Sequence, residues 1–363
     1  MNVPFNNFKR EYELLKSEID DAVRGVMERG YFILGPEVEK FEKAFAAYNR
    51  AEVGVGVNSG TDALYLSMLA AGIGEGDEVI IPVNTALATA MAVEMSGAKP
   101  IFVDCDDSFL IDIDTAESAV TPKTRAIIPV HLYGQSCDMD RIMAFAHKYK
   151  LLVVEDCAQA AGAEWKGRKV GNFGDLAAFS FYPTKTLGAY GDGGMILTNN
   201  LDYFKEITAL RFYGTDDRGV RARRFGVNSR LDEMQAVILN VKLKYLDERN
   251  ERRRAIAQRY GELLKDADCT LPLITDIPGH VYHLFVIRTK KRDELRAKLQ
   301  EDGIDTLIHY PSLLHRHPFF KEWVGRSFPR AEVANKEMLS LPLNPLLTDE
   351  EVEHVATAIC DHV

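Results

Sequence analysis

Residues 53–72 read VGVGVNSGTDALYLSMLAAG, and this stretch decides the fold. A short apolar run, Val53 to Val57, ends in a polar turn and passes into an apolar helical pattern. The same unit recurs. EVIIPV (78–83) meets NTALATAMAVEMSG (84–97), KPIFVDC (99–105) is followed by TRAIIPVHLYG (124–134), and LLVVEDC (151–157) and LAAFSFY (176–182) complete the series. Strands this continuously apolar are expected where helices cover both faces of a mainly parallel sheet. The large domain is therefore predicted to be α/β.

Upstream, Leu15, Ile19, Ala22, Val23 and Val26 fall at helical spacing and stop at Gly30, which suits a helix C-terminus. A second helix is expected to begin at Pro36, a favoured first position. Downstream, one long helical stretch is predicted from about Leu231 to Leu264, leading to prolines at 272 and 278. Then come a strand in HVYHLFVIRT (280–289), a helix around RDELRAKLQEDG (292–303) and a strand in DTLIHYP (305–311). A chain of 363 residues exceeds one comfortable core, so two domains are expected: a large α/β domain, 1–245, and a small C-terminal α+β domain, 246–363.

Composition narrows the function. A formal charge of -10 argues against general nucleic-acid binding, which needs a basic face. Local arginines can still serve a small anion. The five cysteines, at 105, 137, 157, 269 and 360, lack paired C-x-x-C spacing, so neither a disulfide framework nor a zinc site is implied and a cytoplasmic home is expected. No run of 18 apolar residues and no apolar signal core is present, which points away from a membrane.

In open α/β sheets ligands sit at the carboxyl ends of the strands, so the residues just past those ends carry the chemistry. Asn58, Ser59, Gly60, Thr61 and Asp62 stand where a strand hands over to a helix, a place suited to a phosphate or, equally, to plain helix capping by Ser59 or Thr61. Asp156 ends a buried run and needs a partner, for which a cationic ring nitrogen would serve. Lys185 follows at the end of the next strand, with Ser180 before it. A lysine, an acid and a phosphate nest together fit pyridoxal 5′-phosphate chemistry: the amine takes the aldehyde, the acid holds the ring nitrogen protonated, and the nest holds the phosphate.

The stretches NSGTDAL (58–64), EDCAQAAGA (155–163), FSFYPTKTLGAYGDGG (179–194) and VNSRLDEMQA (227–236), in this order, resemble the DegT-type nucleotide-sugar aminotransferases, fold type I pyridoxal phosphate enzymes. The resemblance covers nearly the whole chain. It implies that Lys185 is the Schiff-base lysine, that Asp156 pairs with the pyridine nitrogen and that Gln159 contacts the ring hydroxyl. It also implies phosphate contacts from Gly60, Thr61 and Ser180, and from Asn228 of the other subunit, making the active unit a homodimer with shared sites. Relatives with histidine at the lysine position act as dehydratases, whereas this chain keeps lysine. One departure stands out: Ala86 occupies the position where relatives carry an aromatic against the cofactor ring.

The implied substrates are L-glutamate as donor and a nucleotide-linked keto-deoxysugar, with dTDP-3-keto-6-deoxyhexose favoured over amination at C4 or of a UDP-3-keto sugar. Arg218 and Arg221, in DDRGVRARRF (216–225), suit a diphosphate or form a solvated basic loop, and Tyr182, His309 and Tyr310 lie in neighbourhoods that face the sugar in relatives. A catalytically impaired binding or regulatory module of the same fold is the alternative. A dinucleotide fingerprint is excluded, because Gly54 and Gly56 lie within the strand and position 59 is serine. No metal is implied: His315 and His317 lack an acidic or cysteine partner at useful spacing.

Overall fold

The computed structural model describes residues 1–216 and 221–363. Its centre is a seven-stranded sheet of β1 (Val53–Val57), β2 (Glu78–Pro82), β3 (Lys99–Val103), β4 (Thr124–Ile127), β5 (Leu152–Asp156), β8 (Leu176–Ser180) and β9 (Gly194–Thr198), in the order β1-β9-β8-β5-β4-β2-β3. A two-residue hairpin, β6 (Glu164–Trp165) and β7 (Arg168–Lys169), lies between β5 and β8 in the chain. β2, β3, β4, β5 and β8 pair in parallel, and only β9 runs antiparallel, between β1 and β8. The mainly parallel α/β sheet is as expected from the apolar runs. β9, in GGMILTNN, was not among the expected strands, although all five of its residues are buried.

Helix α1 (Phe8–Arg29) ends at Gly30 with φ 66°, and α2 (Pro36–Tyr48) starts on its proline, both as the sequence predicts. α3 (Gly60–Ala70) follows the edge strand β1 and packs chiefly on β9 and β8, the next two strands in from that edge. α4 (Leu87–Met95), α5 (Ile113–Ser118), α6 (Met139–Tyr149) and α7 (Leu201–Leu210) complete the cover of the sheet. On one side Phe41 and Phe45 of α2 meet Phe179 and Phe181, with the Phe45–Phe179 ring centroids 5.0 Å apart, edge to face. Such pairs contribute about 0.5–1.5 kcal/mol each beyond their buried area.

The single long helix predicted over residues 231–264 is two: α8 (Glu233–Leu243) and α9 (Leu246–Leu263), broken at Lys244 and Tyr245. The break lets α8 pack on α1 and α2 while α9 packs on α12 (Asp349–His362). One periodic sequence therefore serves two cores. A third cluster joins Ile256, Tyr260 and Leu264 to β10 (Phe285–Arg288), α10 (Arg292–Glu301), β11 (Met338–Leu341) and α12, with Val3 buried among them. β10 pairs with β11; DTLIHYP, expected as a strand, forms among the described residues only a single bridge, Leu307 with Ser340, while Ile304 just before it bridges Val3. The following segment, with α11 (Pro329–Glu337), turns back on the main core: Phe320 meets Phe102 at 5.1 Å, and the amides of Arg330 and Ala331 donate to Asp104. That return carries Tyr310 to the end of the large sheet.

Candidate active site

The carboxyl ends of β1, β5 and β8 open on one cleft of about 230 Å³. Gly60, Thr61, Ala86, Asp156, Gln159, Ser180, Tyr182, Lys185 and Tyr310, all singled out from the sequence, line it together. The parallel topology explains this, because successive strands deliver their C-terminal turns to the same edge.

Asp156 forms the buried floor. Its Oδ2 accepts from Thr89 Oγ1 at 2.8 Å and its Oδ1 from the Ala158 amide at 3.1 Å, while Thr89 in turn meets Thr85 at 3.1 Å. Burial pushes the Asp156 carboxyl up, and these donors and the Lys185 charge only partly oppose it. An adjacent cation in the cleft would reverse that balance. Lys185 stands in the turn after β8, held by its amide, which donates to the Tyr182 carbonyl at 2.9 Å. Its amine makes no hydrogen bond or ion pair with any described residue, and burial brings it down from 10.5 to about 8, with Asp156 opposing. A lysine in that range supplies neutral amine near physiological pH.

Gln159 is fixed at both ends. Its Oε1 accepts from the Tyr133 amide at 2.7 Å and its Nε2 donates to the Tyr310 hydroxyl at 2.7 Å. Burial, with the Asp156 charge beside it, keeps the Tyr310 phenol protonated. His309 does not line the cleft; its ring meets Ser340 Oγ at 2.9 Å, and its carbonyl accepts from the Tyr133 hydroxyl at 2.5 Å.

The phosphate reading and the capping reading of residues 58–62 are separable here. Ser59 caps α3, accepting from the Asp62 amide at 3.0 Å, so Thr61 is free of that duty. Gly60 has no room for a side chain: a Cβ there would stand 2.7 Å from Ser180 Cβ. The helix N-terminus is thereby pressed against Ser180, and the two elements form a single cradle suited to an anion.

Asn228 is exposed and does not line this cleft. Arg221 is exposed also, while its neighbours Arg223 and Arg224 pair with Asp216 and Glu206. Arg218 lies outside the described residues.

Beneath the floor, Glu155 is fully buried yet held below the usual carboxylate range. Burial pushes it up, but His131 at 3.1 Å and the amides of Gly171, Phe173 and Gly174 more than offset this. Cys157 lies close by, but the group is poorly disposed to a metal: His131 Nδ1 already accepts from the Cys137 amide at 3.1 Å. The network fixes the strand end that presents Asp156. Sequence reasoning missed the Thr85–Thr89 relay and this network; the i, i+4 threonines in an otherwise apolar helix start were a legible sign of the first.

With a lysine, an acid and an anion cradle on one edge, comparison with known proteins decides the matter: residues 13–360 match the DegT/DnrJ/EryC1/StrS aminotransferase family. The chain belongs to that family. It is 47% identical to a protein of Geobacillus stearothermophilus named Pleiotropic regulatory protein, over 99% of this chain and 98% of that one. It is also 47% identical to the dTDP-3-amino-3,6-dideoxy-alpha-D-galactopyranose transaminase of Aneurinibacillus thermoaerophilus, over 98% of each. The crystal structure of S. venezuelae DesV in complex with a ketimine intermediate superposes with a TM-score of 0.96 at 43% identity, covering 99% of this chain and 98% of that one. Other solved relatives are described with PMP bound and in a PLP form. The family's members are sugar aminotransferases and its cofactor is pyridoxal 5′-phosphate, which the cleft fits: a free amine, a buried acid and a cradle where a Cβ has no space.

Proposed function

We propose that this enzyme carries pyridoxal phosphate on Lys185 and transfers the amino group of L-glutamate to the keto carbon of a dTDP-linked 3-keto-6-deoxyhexose. The observation that carries the reading is the Lys185 amine, unpaired in the cleft and brought down to about 8 by burial, with Asp156 on the floor beneath. The choice of C3 is supported by the names of relatives, which include three dTDP-3-amino sugar transaminases.

When bound, the cofactor supplies an aldehyde that takes up amines and a ring that accepts electrons from the neighbouring carbon. Asp156, kept charged by that ring's cation and by Thr89, would hold the ring nitrogen protonated. Gln159, fixed by Tyr133 and Tyr310, would orient the ring hydroxyl. The amides at Gly60 and Thr61 and the Ser180 hydroxyl would hold the phosphate. Lys185, neutral above about pH 8, would take and return the proton moved during transfer. Tyr182, 52% exposed at the cleft, would meet the sugar.

The exposed Asn228 supports a homodimer in which each subunit completes its partner's phosphate site, and Arg221 on the same loop is assigned to the diphosphate. Arg218 is assigned there on sequence alone. Residues 246–363 are assigned to a smaller domain on the strength of the separate cluster around Tyr260 and Leu339. No described helix is long and apolar enough to cross a membrane. The five free cysteines support a cytoplasmic location.

Incubating the cofactor-loaded protein with glutamate tests this reading. One equivalent of 2-oxoglutarate per subunit is expected without any sugar, and continuous turnover once dTDP-3-keto-6-deoxyhexose is added. No 2-oxoglutarate would remove the donor; release without turnover on any 3-keto sugar nucleotide would remove the acceptor.

A further inference from the structure

A second cavity shares Lys185 with the cleft and none of its other lining residues. It measures about 30 Å³ and is bounded by the turn Thr184–Thr186, by Asn6 and by Arg249 and Arg253 of α9. A single water needs about 10–15 Å³ on this measure, so the space takes a group of two or three heavy atoms and not a whole amino acid.

Charge is unbalanced around it. Among the described residues lining it, Glu11 is the one carboxylate, and it already meets Lys242 at 2.9 Å and pairs with Arg249. Arg253 is 5% exposed and has no carboxylate partner among the described residues; it donates to the Leu343 carbonyl at 3.0 Å, and its Nε is buried without an acceptor. The Thr186 hydroxyl is likewise buried without a partner among the described residues. A buried guanidinium lacking a counter-charge is costly, and a carboxylate is its best-matched ligand. The described lining of the main cleft, by contrast, holds no cationic side chain other than Lys185.

We infer that this cavity is the subsite for the side-chain carboxylate of a dicarboxylic amino donor, bound by Arg253 with Thr186 and Asn6. The inference rests on the proposed reading that glutamate is the donor. It gives the enzyme a physical means of preferring glutamate to a neutral amino acid.

Calorimetric titration of the cofactor-loaded protein with glutarate, a dicarboxylate with no amine to react, tests it. Glutarate is expected to bind at least about tenfold more tightly than butyrate, the scale of one charge-assisted contact, and Arg253→Gln to lose a similar factor. Thr186→Val removes a hydroxyl that no described residue uses, so it keeps the fold, and it is expected to weaken glutarate about threefold or more. Thermal melting checks that each variant is folded. Wild-type affinity in folded Arg253→Gln or in Thr186→Val would overturn the inference, as would failure of the wild type to bind glutarate. Butyrate or chloride binding as tightly as glutarate would show a general anion hole and overturn it too. Failure of the donor reading is seen separately, as absence of 2-oxoglutarate release from glutamate by a wild type that still binds glutarate through Arg253.

Discussion

Thr89 Oγ1 donates to Asp156 Oδ2 at 2.8 Å, so the first turn of α4 braces the carboxylate at the end of β5. Burial alone pushes this carboxyl up, and the threonine is one of the two donors that oppose it. Thr89→Val keeps the shape and removes the donor. Cofactor affinity is expected to fall about tenfold, the scale of one hydrogen bond to a charged group, as read by titrating cofactor-free protein with pyridoxal phosphate. Unchanged affinity would mean that Asp156 is held charged without it.

The Lys185 amine predicts a pH dependence. Only the neutral amine reacts with an aldehyde, so the rate of pyridoxal phosphate uptake should rise with pH and level off above about 8. Between about 8 and 10.5 the unfolded chain binds the proton that the folded chain has lost, so the stability of cofactor-free protein should climb with pH across that window. Lys185→Met should flatten the climb. An uptake profile still rising near pH 10 would show an ordinary lysine.

The exposed Asn228 predicts complementation between two defective dimers. Lys185→Ala lacks the amine, and Asn228→Asp sets a negative charge where phosphate is assigned. Equal amounts, dissociated and reassembled together, should recover about a quarter of wild-type activity, since half the dimers are hybrids with one intact site each. Recovery no greater than the two parents would place Asn228 in its own subunit's chemistry or outside it.

The strand ends were legible because apolar runs mark buried strands and a charged residue closing such a run is unusual: Asp156 and Lys185 announced themselves in that way. Gly60 was legible as a helix start, but not the reason for its glycine, which is the proximity of Ser180 across 120 residues of chain. Position His309 shows the limit. Its neighbour Tyr310 reaches the cleft while His309 turns to Ser340, and alternation along an irregular segment gives no sequence rule for which of the two points inward. The break at Lys244 and Tyr245 was hidden for a related reason: helical spacing continues through it, and only packing against two different cores imposes the turn. Arg253 was passed over because an arginine on a helix is ordinary until burial removes its partners, and Thr186, a second departure from the family's usual asparagine after the lysine, had no physical account from sequence.

The central claim is that Lys185 carries the cofactor, and borohydride reduction of the loaded protein followed by peptide mass mapping tests it most directly. The account predicts one pyridoxyl phosphate group per subunit, fixed on Lys185 in the peptide that contains FYPTKTLGAY, and none if glutamate is added before reduction. The group on any other lysine, or no fixed group in a protein that has bound pyridoxal phosphate, would contradict it.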